Sequence, residues 1–418
     1  IAFLILFSIL SQHLFSQSIE GEWYGTLDAM GTKVPLVLHL SESEGVLTGT
    51  MDSPQQGGYG IPMDEVRLTG NQFFFSINQA GIKYTGTLSK LGLSGDFNQA
   101  GFDFDLEFTR EPPAANGQKK REQDPVDFPY RRLAVTFPSG AEAITMAGEL
   151  TLPPTGTAIK QAVILISGSG GQDRNSELGE AINHRPFLVL SDFLTREGIA
   201  VLRYDDRGIG ASTGNFSQAT TADFAQDAEG ALSFLAAQPE LKDAKLGLIG
   251  HSEGGLIVPM VAAERDDLDF VVLLGAPGIP ADTLMLMQSR LVQESMGAPL
   301  ALIERNLKPI RKAYAYINGH PELEEKELQE ELIEIFRASI KDLPQPLQDA
   351  IQDEDAFARQ QVGTLSNIWF RYFLSFDPEP YLKQLTAPIL ALNGDLDTQV
   401  PSKIFLYAIA KHVVSNCK

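Results

Sequence analysis

Cysteine is almost missing from this chain, with one in 418 residues, Cys417. An internal disulfide is thereby excluded, and no cysteine stands near the opening residues to carry a lipid. Basic charge is scarce as well: 33 Lys and Arg face 54 Asp and Glu, for a formal net charge of −21. Nucleic acid and anionic membrane surfaces would both repel such a protein, so neither is expected as a partner. No apolar run is long enough to span a bilayer. The run that opens the sequence, IAFLILFSIL, covers ten residues with one serine, and the first charge is Glu20. It suits the apolar core of a signal peptide, with small residues at Ser16 and Ser18 before a cleavage point at Ile19. Residues 1–18 are therefore expected to be an incomplete signal peptide, and the protein to be secreted or periplasmic without a membrane anchor.

What remains is an ordinary globular composition, 43% hydrophobic and 21% charged, in a chain longer than one core usually holds. Residues 19–110 read as all-β. Apolar and polar residues alternate from Val34 to Leu40 and from Phe102 to Phe108, the period of a strand with one buried face. A short unit recurs as Leu47-Thr48-Gly49, Leu68-Thr69-Gly70, Tyr84-Thr85-Gly86 and Leu93-Ser94-Gly95. Placing each near a turn gives a meander of hairpins, a small barrel or sandwich serving as an accessory domain. Residues 111–129, with Pro112-Pro113, Asn116-Gly117 and a charged run from Lys119 to Glu122, read as a linker.

From residue 130 the pattern changes. A hairpin is expected around Pro138-Ser139-Gly140, followed by buried strands at Ala162–Ile166, Ile199–Tyr204, Lys245–Ile249, Phe270–Leu274 and Ile389–Leu392. Helical periodicity fills the gaps, as in Phe224, Ala228, Ala231, Leu232 and Leu235 behind a cap at Thr221. Strands alternating with helices imply a mostly parallel sheet covered on both faces. Between about residues 280 and 386 the strand pattern stops and helical character takes over, including the acidic stretch Glu322–Leu328, the solvated face of a helix. An insertion there is expected to form a helical cap over a pocket.

The residues that carry chemistry lie in the sheet part. Lys245–Ile249 leads into Gly250-His251-Ser252-Glu253-Gly254-Gly255, and an apolar helix follows. This is the nucleophile-elbow pattern in its strand–turn–helix setting, which makes Ser252 the expected nucleophile. The amide of Glu253 is one oxyanion donor by position. The second is expected from the small-residue loop Ser167-Gly168-Ser169-Gly170-Gly171-Gln172, with Gly170 and Gly171 as the chosen amides. Arg203 to Ser212 carries glycines after a strand, but Asp205 and Asp206 would repel a pyrophosphate. It reads as a structural turn whose Asp206 and Arg207 pair with neighbours. A carboxylate at the end of the last strand would orient an imidazole, and both Asp395 and Asp397 qualify on spacing.

Together, the glycine loop through Arg174, the segment Tyr204–Gly210, the elbow and Gly394-x-x-Asp397-x-x-Val400-Pro401 resemble the secreted two-domain bacterial carboxylesterases of the EstD type. These lie within the serine-hydrolase group that includes prolyl iminopeptidases. The resemblance covers roughly Leu133 to Pro401 in motif order. It implies an α/β-hydrolase fold with a helical cap, preceded by the small β domain. It implies a serine esterase acting on small-molecule esters without a cofactor or metal, and it selects Asp397 over Asp395 as the acid. The family base is a histidine after a further helix and strand. Only His412 follows Asp397, 412 − 397 = 15 residues on, which leaves room for the helix alone. The expectation is that the catalytic domain, 130–418, lacks its C-terminal portion and with it the base; His412, His184 and His251 are the alternatives. Two rival functions stay open. One is a peptidase of the same fold, although prolyl iminopeptidases carry Trp beside the elbow serine where this chain has His251 and Glu253. The other is a binding protein that keeps the fold without the base.

Overall fold

The structure is a computed structural model that describes residues 18–29, 32–43, 45–53, 58–99, 102–111, 123–140, 143–177, 184–295, 297–343, 345, 348, 351, 353–363 and 365–414. The expected signal segment through residue 17, most of the expected linker and Cys417 lie outside the described residues. Two compact units divide the chain, Ile1–Asn116 and Gly117–Lys418. The second half of the expected linker packs onto the second unit. Asp124 and Asp127 pair with Arg185 and Arg196 at 3.5 and 3.0 Å, and Arg132 covers the Phe128 ring at 4.1 Å.

The first unit is a nine-stranded antiparallel sheet of β1 (Gly21–Ala29), β2 (Thr32–Ser43), β3 (Val46–Ser53), β4 (Gly58–Pro62), β5 (Glu65–Thr69), β6 (Gln72–Ile77), β7 (Ile82–Ser89), β8 (Gly92–Gln99) and β9 (Phe102–Thr109). The strand order is β4-β3-β2-β1-β9-β8-β7-β6-β5, and β5 comes back against β3. Alternate residues point inward, and aromatics fill the interior: Trp23, Phe73, Phe75, Tyr84, Phe97 and Phe108 are all buried. Their polar ends are satisfied locally, with Tyr84 donating to the Leu106 carbonyl at 3.1 Å and Trp23 to that of Ile19 at 2.8 Å. Of the four recurring glycines, only Gly70 sits at a turn, with φ of +64°. Gly86 and Gly95 face each other across β7 and β8 instead. A Cβ on Gly95 would lie 2.1 Å from the Thr85 carbonyl oxygen, so these glycines mark close backbone approach rather than hairpin tips.

The second unit holds a seven-stranded sheet of β10 (Arg131–Pro138), β11 (Thr145–Leu152), β12 (Gln161–Ile166), β13 (Ala200–Tyr204), β14 (Lys245–His251), β15 (Phe270–Leu274) and β16 (Ile389–Leu392), in the order β10-β11-β13-β12-β14-β15-β16. The β10–β11 hairpin is antiparallel and the five strands from β13 to β16 are parallel. Helices α1 (Pro186–Arg196), α2 (Thr221–Ala236) and α3 (Gly254–Ala263) cover the two faces. The period of two in β12 shows how. Ala162, Ile164 and Ile166 pack with α2 and α3, while Val163 and Leu165 pack with α1. The α2 cap is Thr220, one residue earlier than the apolar pattern indicates. Its backbone amide and hydroxyl both donate to Asp223, at 2.8 and 2.7 Å. This is the α/β-hydrolase fold.

Between β15 and β16 come α4 (Ala281–Ser295), α5 (Leu300–Gly319), α6 (Glu325–Ile340), α7 (Glu354–Val362), α8 (Ile368–Ser375) and α9 (Glu379–Leu382). They close on their own core, in which α6 buries Leu328, Leu332, Ile333 and Phe336 and turns its glutamates outward. A last helix, α10 (Ser402–Val414), follows β16. Among the described residues β16 pairs only with β15, and Leu390 and Leu392 on it are half exposed. No helix among the described residues is long and apolar enough to cross a membrane.

One ion pair holds the turn after β13 to α2. Arg207 and Asp227 are buried, and the guanidinium donates to both carboxylate oxygens at 2.7 and 2.9 Å. Removing Asp227 takes both of these charge-assisted bonds from the buried guanidinium and leaves it the bonds to Asp223, to the carboxylate at 3.2 Å and to the carbonyl at 2.7 Å. Asp227→Ala is therefore expected to lower unfolding free energy by about 3–5 kcal/mol, read from the urea midpoint; a loss under about 1 kcal/mol, the level of an exposed pair, would show the pair to be dispensable.

Candidate active site

The site is built where β14 stops. Gly250 and Gly254 lie so close that a Cβ on Gly250 would come within 2.1 Å of the Gly254 carbonyl oxygen, and one on Gly254 within 2.3 Å of that of Ile166. Only glycine fits at either position, which allows α3 to start directly behind the strand. Between them Ser252 takes φ of +53°. For a residue with a Cβ this conformation costs about 1–3 kcal/mol. It is held by the Ser252 amide donating to the Leu274 carbonyl at 2.9 Å and by the Gly255 amide donating to the Ser252 carbonyl at 2.8 Å. The Ser252 hydroxyl makes no hydrogen bond among the described residues. It projects at the N-terminus of α3, where developing negative charge is favoured.

The loop after β12 passes directly over it. A Cβ on Gly168 would lie 3.1 Å from that of Ser252, whereas Gly171 turns toward Ile209 and Gly170, at φ +88°, has open space around it. Gly168 is thus the loop glycine that packs against Ser252, and Gly170 lines the same small cavity as Gly168 and Glu253. Asp206 fastens this loop. Its carboxylate accepts from the Gln172 amide and the Ser167 hydroxyl, both at 2.9 Å, and its own amide donates to the Gln172 carbonyl at 3.1 Å. Asp205 is gripped by the Arg174 guanidinium at 2.9 and 2.6 Å, which keeps its carboxyl below the usual range despite burial.

The Glu253 side chain turns into the interior. One carboxylate oxygen accepts from the Thr221 hydroxyl at 2.6 Å and from the Trp369 indole at 2.9 Å. Burial pushes its pKa up, with the Thr221, Trp369 and Ser169 side chains opposing. Trp369 belongs to α8, so the helices between β15 and β16 are bonded directly to the residue beside Ser252. Burial also pushes Asp206 up, to about 8. The two carboxyls border a cavity of about 10 Å³, room for one water. Neither Trp369 nor Thr221 carries a sequence signal: they reach Glu253 from elements 116 and 32 residues away. Gly168 stood in the recognised loop, but spacing alone could not show that it packs against Ser252.

Asp397 lies in the loop after β16. One oxygen accepts from the Gln399 and Val400 amides at 2.8 and 2.9 Å. The other faces the end of β15, where a Cβ on Gly275 would be 3.6 Å away. Asp395 accepts from the Ser402 hydroxyl at 3.3 Å, at the start of α10. Among the described residues no histidine bonds to Asp397. His412 faces Glu379 at 3.7 Å. His184 stands ahead of α1, bonded to neither Ser252 nor Asp397. The His251 ring, although part of the residue reaches solvent, is crowded enough that burial lowers its pKa, opposed by the Asp397 charge. No group of three or more His, Cys, Asp or Glu among the described residues is arranged to hold a metal ion.

Residues 185–340 match the family model for serine aminopeptidases of the S33 type, a segment running from before α1 to the end of α6. It contains Ser252 but not Asp397. Solved structures similar to this one include an esterase from Pyrococcus furiosus, 15% identical over 68% of this chain and 78% of that one, with a TM-score of 0.40. Others are Est1E from Butyrivibrio proteoclasticus (17%, 67% and 84%, TM-score 0.37) and a proline iminopeptidase from Mycobacterium smegmatis (17%, 67% and 87%, TM-score 0.40). The comparison with curated proteins gave no match.

The raised Asp206 sets a pH dependence. Its folded value of about 8 stands above an unfolded value of about 4, so the folded protein holds this proton more tightly. The stability it contributes is complete below about pH 4 and is lost as pH rises through about 8. Asp206→Asn can keep both bonds, with its oxygen accepting from Gln172 and its amide donating to Ser167. The variant is expected to gain in urea midpoint over the parent as pH rises from about 5 to about 8.5; a difference that stays constant across that range would place the Asp206 proton elsewhere.

Proposed function

We propose that this chain is a serine hydrolase that cleaves carboxylic esters through an acyl-enzyme on Ser252. The observation that carries the reading is Ser252 itself, in the left-handed region between β14 and α3 with its hydroxyl unengaged. In this mechanism the hydroxyl oxygen attacks the ester carbonyl and its proton passes to a general base, the role of an imidazole that no described histidine fills in this structure. The free oxygen of Asp397 orients that imidazole and stabilises its charge. The amide of Glu253 and an amide of the Gly168–Gly171 loop receive the oxyanion. Collapse of the tetrahedral intermediate expels the alcohol, and water, activated by the same imidazole, releases the acid.

The acids around the pocket favour an ester over an N-terminal peptide substrate. An aminopeptidase must hold an ammonium group, which calls for a carboxylate with its charge exposed. Glu253 and Asp206, two of the acids beside the elbow, are buried and pushed toward the neutral form, and the third, Asp397, is the acid this reading assigns to the imidazole. The finer likeness, to secreted two-domain carboxylesterases, belongs to the same proposal; the β unit ahead of the α/β unit and the apolar opening run support it. The second reading, a binding protein with this fold, is favoured by one observation, that no described histidine bonds to Asp397.

A fluorophosphonate probe separates these readings, because labelling requires an activated serine. The expected result is labelling of the parent and none of Ser252→Ala, with 4-nitrophenyl ester hydrolysis lower by about 10⁴-fold or more in the variant. Asp397→Asn is expected to lose about 10⁴-fold in turnover, and Asp395→Asn far less. An unlabelled parent that folds normally would favour the binding protein, and faster cleavage of aminoacyl anilides than of esters would favour the peptidase.

A further inference from the structure

We propose that the helical cap holds the free carboxylate of an anionic substrate, with Arg305 as its anchor. A cavity of about 600 Å³ lies among α4, α5, α6 and α7, within the size range of small-molecule sites. Met285, Ile310, Phe336 and Phe357 form its apolar wall, and carboxamides, including Gln288 and Gln361, supply most of the polar positions. It borders the loop of Asp397. Gln399 lines it, the Gln399 amide donates to Asp397 at 2.8 Å, and the Gln288 side chain donates to the Gln399 carbonyl at 2.8 Å.

Arg305 is the only Arg or Lys in that lining, and it differs from every other arginine of the cap. Arg290 and Arg311 pair with Glu304, Arg337 with Glu334 and Asp355, and Arg359 with Asp355; Arg371 donates to the Pro321 carbonyl. Arg305 has no hydrogen bond or ion pair among the described residues, and its Nε is sealed from solvent without an acceptor. The one carboxylate in the lining, Asp342, is engaged by Lys308 at 2.7 Å. A guanidinium cannot shed its proton, so a buried N–H without an acceptor calls for one from outside the chain. The two terminal nitrogens, which are not sealed in this way, can present paired donors, the geometry that matches a carboxylate. In a protein of net charge −21, an unpaired arginine lining a partly open cavity is a selective anion site. The ligand class that follows is a small ester with a free carboxylate distal to the scissile bond, such as a half-ester of a dicarboxylic acid.

The substrate class rests on the hydrolytic reading, but the anion site can be tested without it. Monomethyl adipate and dimethyl adipate are titrated by calorimetry into Ser252→Ala protein, alone and with Arg305→Met or Arg305→Lys added. The expected result is a preference of about tenfold or more for the monoester, abolished by Met and reduced by Lys, which keeps the charge but not the paired donors. Should the Met variant fail to fold, the reduction in the Lys variant decides. Equal binding of the two esters, or a preference that survives the Met change, overturns the proposal. Sulfate or phosphate bound as tightly as the monoester through Arg305 would make this a general oxyanion site and overturn the carboxylate assignment. Fluorophosphonate labelling of the parent keeps the two readings apart. Labelling without ester preference sinks only this inference, and preference without labelling sinks only the hydrolase.

Discussion

The arrangement depends on one crossing, where β14 turns into α3 with no spare residue. The carbonyl of Gly254 lies where a Cβ of Gly250 would be, and the backbone of β12 lies where a Cβ of Gly254 would be. That contact forces Ser252 into the left-handed region, and the strain is tolerated because bonds from both neighbouring segments fix it. Loosening the crossing by a single methylene would free the serine backbone to relax, and its hydroxyl would no longer stand at the helix N-terminus.

Around this strained point the protein collects buried acids rather than exposed ones. Asp206 and Glu253 both lie behind the reacting face, each tied by hydrogen bonds and each pushed toward its neutral form. Carboxyls held in this way fasten loops while burial disfavours their charged form. Asp206 fastens the loop over Ser252, and Glu253 fastens the cap through Trp369. Charge that must remain charged is instead paired in full, as in Arg207 with Asp227 and Arg174 with Asp205.

The cap follows another logic. Its helices are amphipathic, with glutamates outward and a core of Leu328, Leu332, Phe336 and Phe370 inward, and most of its arginines are tied up on the surface. Against that background the solitary Arg305 and the cavity beside it stand out as something the packing of the cap does not require.

The strands, the sheet helices and the elbow were legible in the sequence because their determinants are local. Alternation in β12, the 3.6-residue period of α2 and the glycines around Ser252 act within a few residues of where they are written. Asp397 was legible for the same reason, as a carboxylate just past an apolar run, although that strand proves half exposed. What the sequence could not decide is what distant segments do when they meet. The recurring glycines of the β unit read as turns, yet Gly86 and Gly95 oppose each other within strands, because the limit there is cross-strand distance. Gly168 rather than Gly170 meets Ser252, since the path of that loop is set by Asp206 from the next strand. Trp369 reaches Glu253 across 116 residues, and His412 turns to Glu379 rather than Asp397, because the direction of a side chain is fixed by whichever surface its helix packs against. The sequence by itself determined the elements and the strained turn that holds Ser252; which side chains meet there was decided by tertiary packing alone, since contact between remote residues has no local period to betray it.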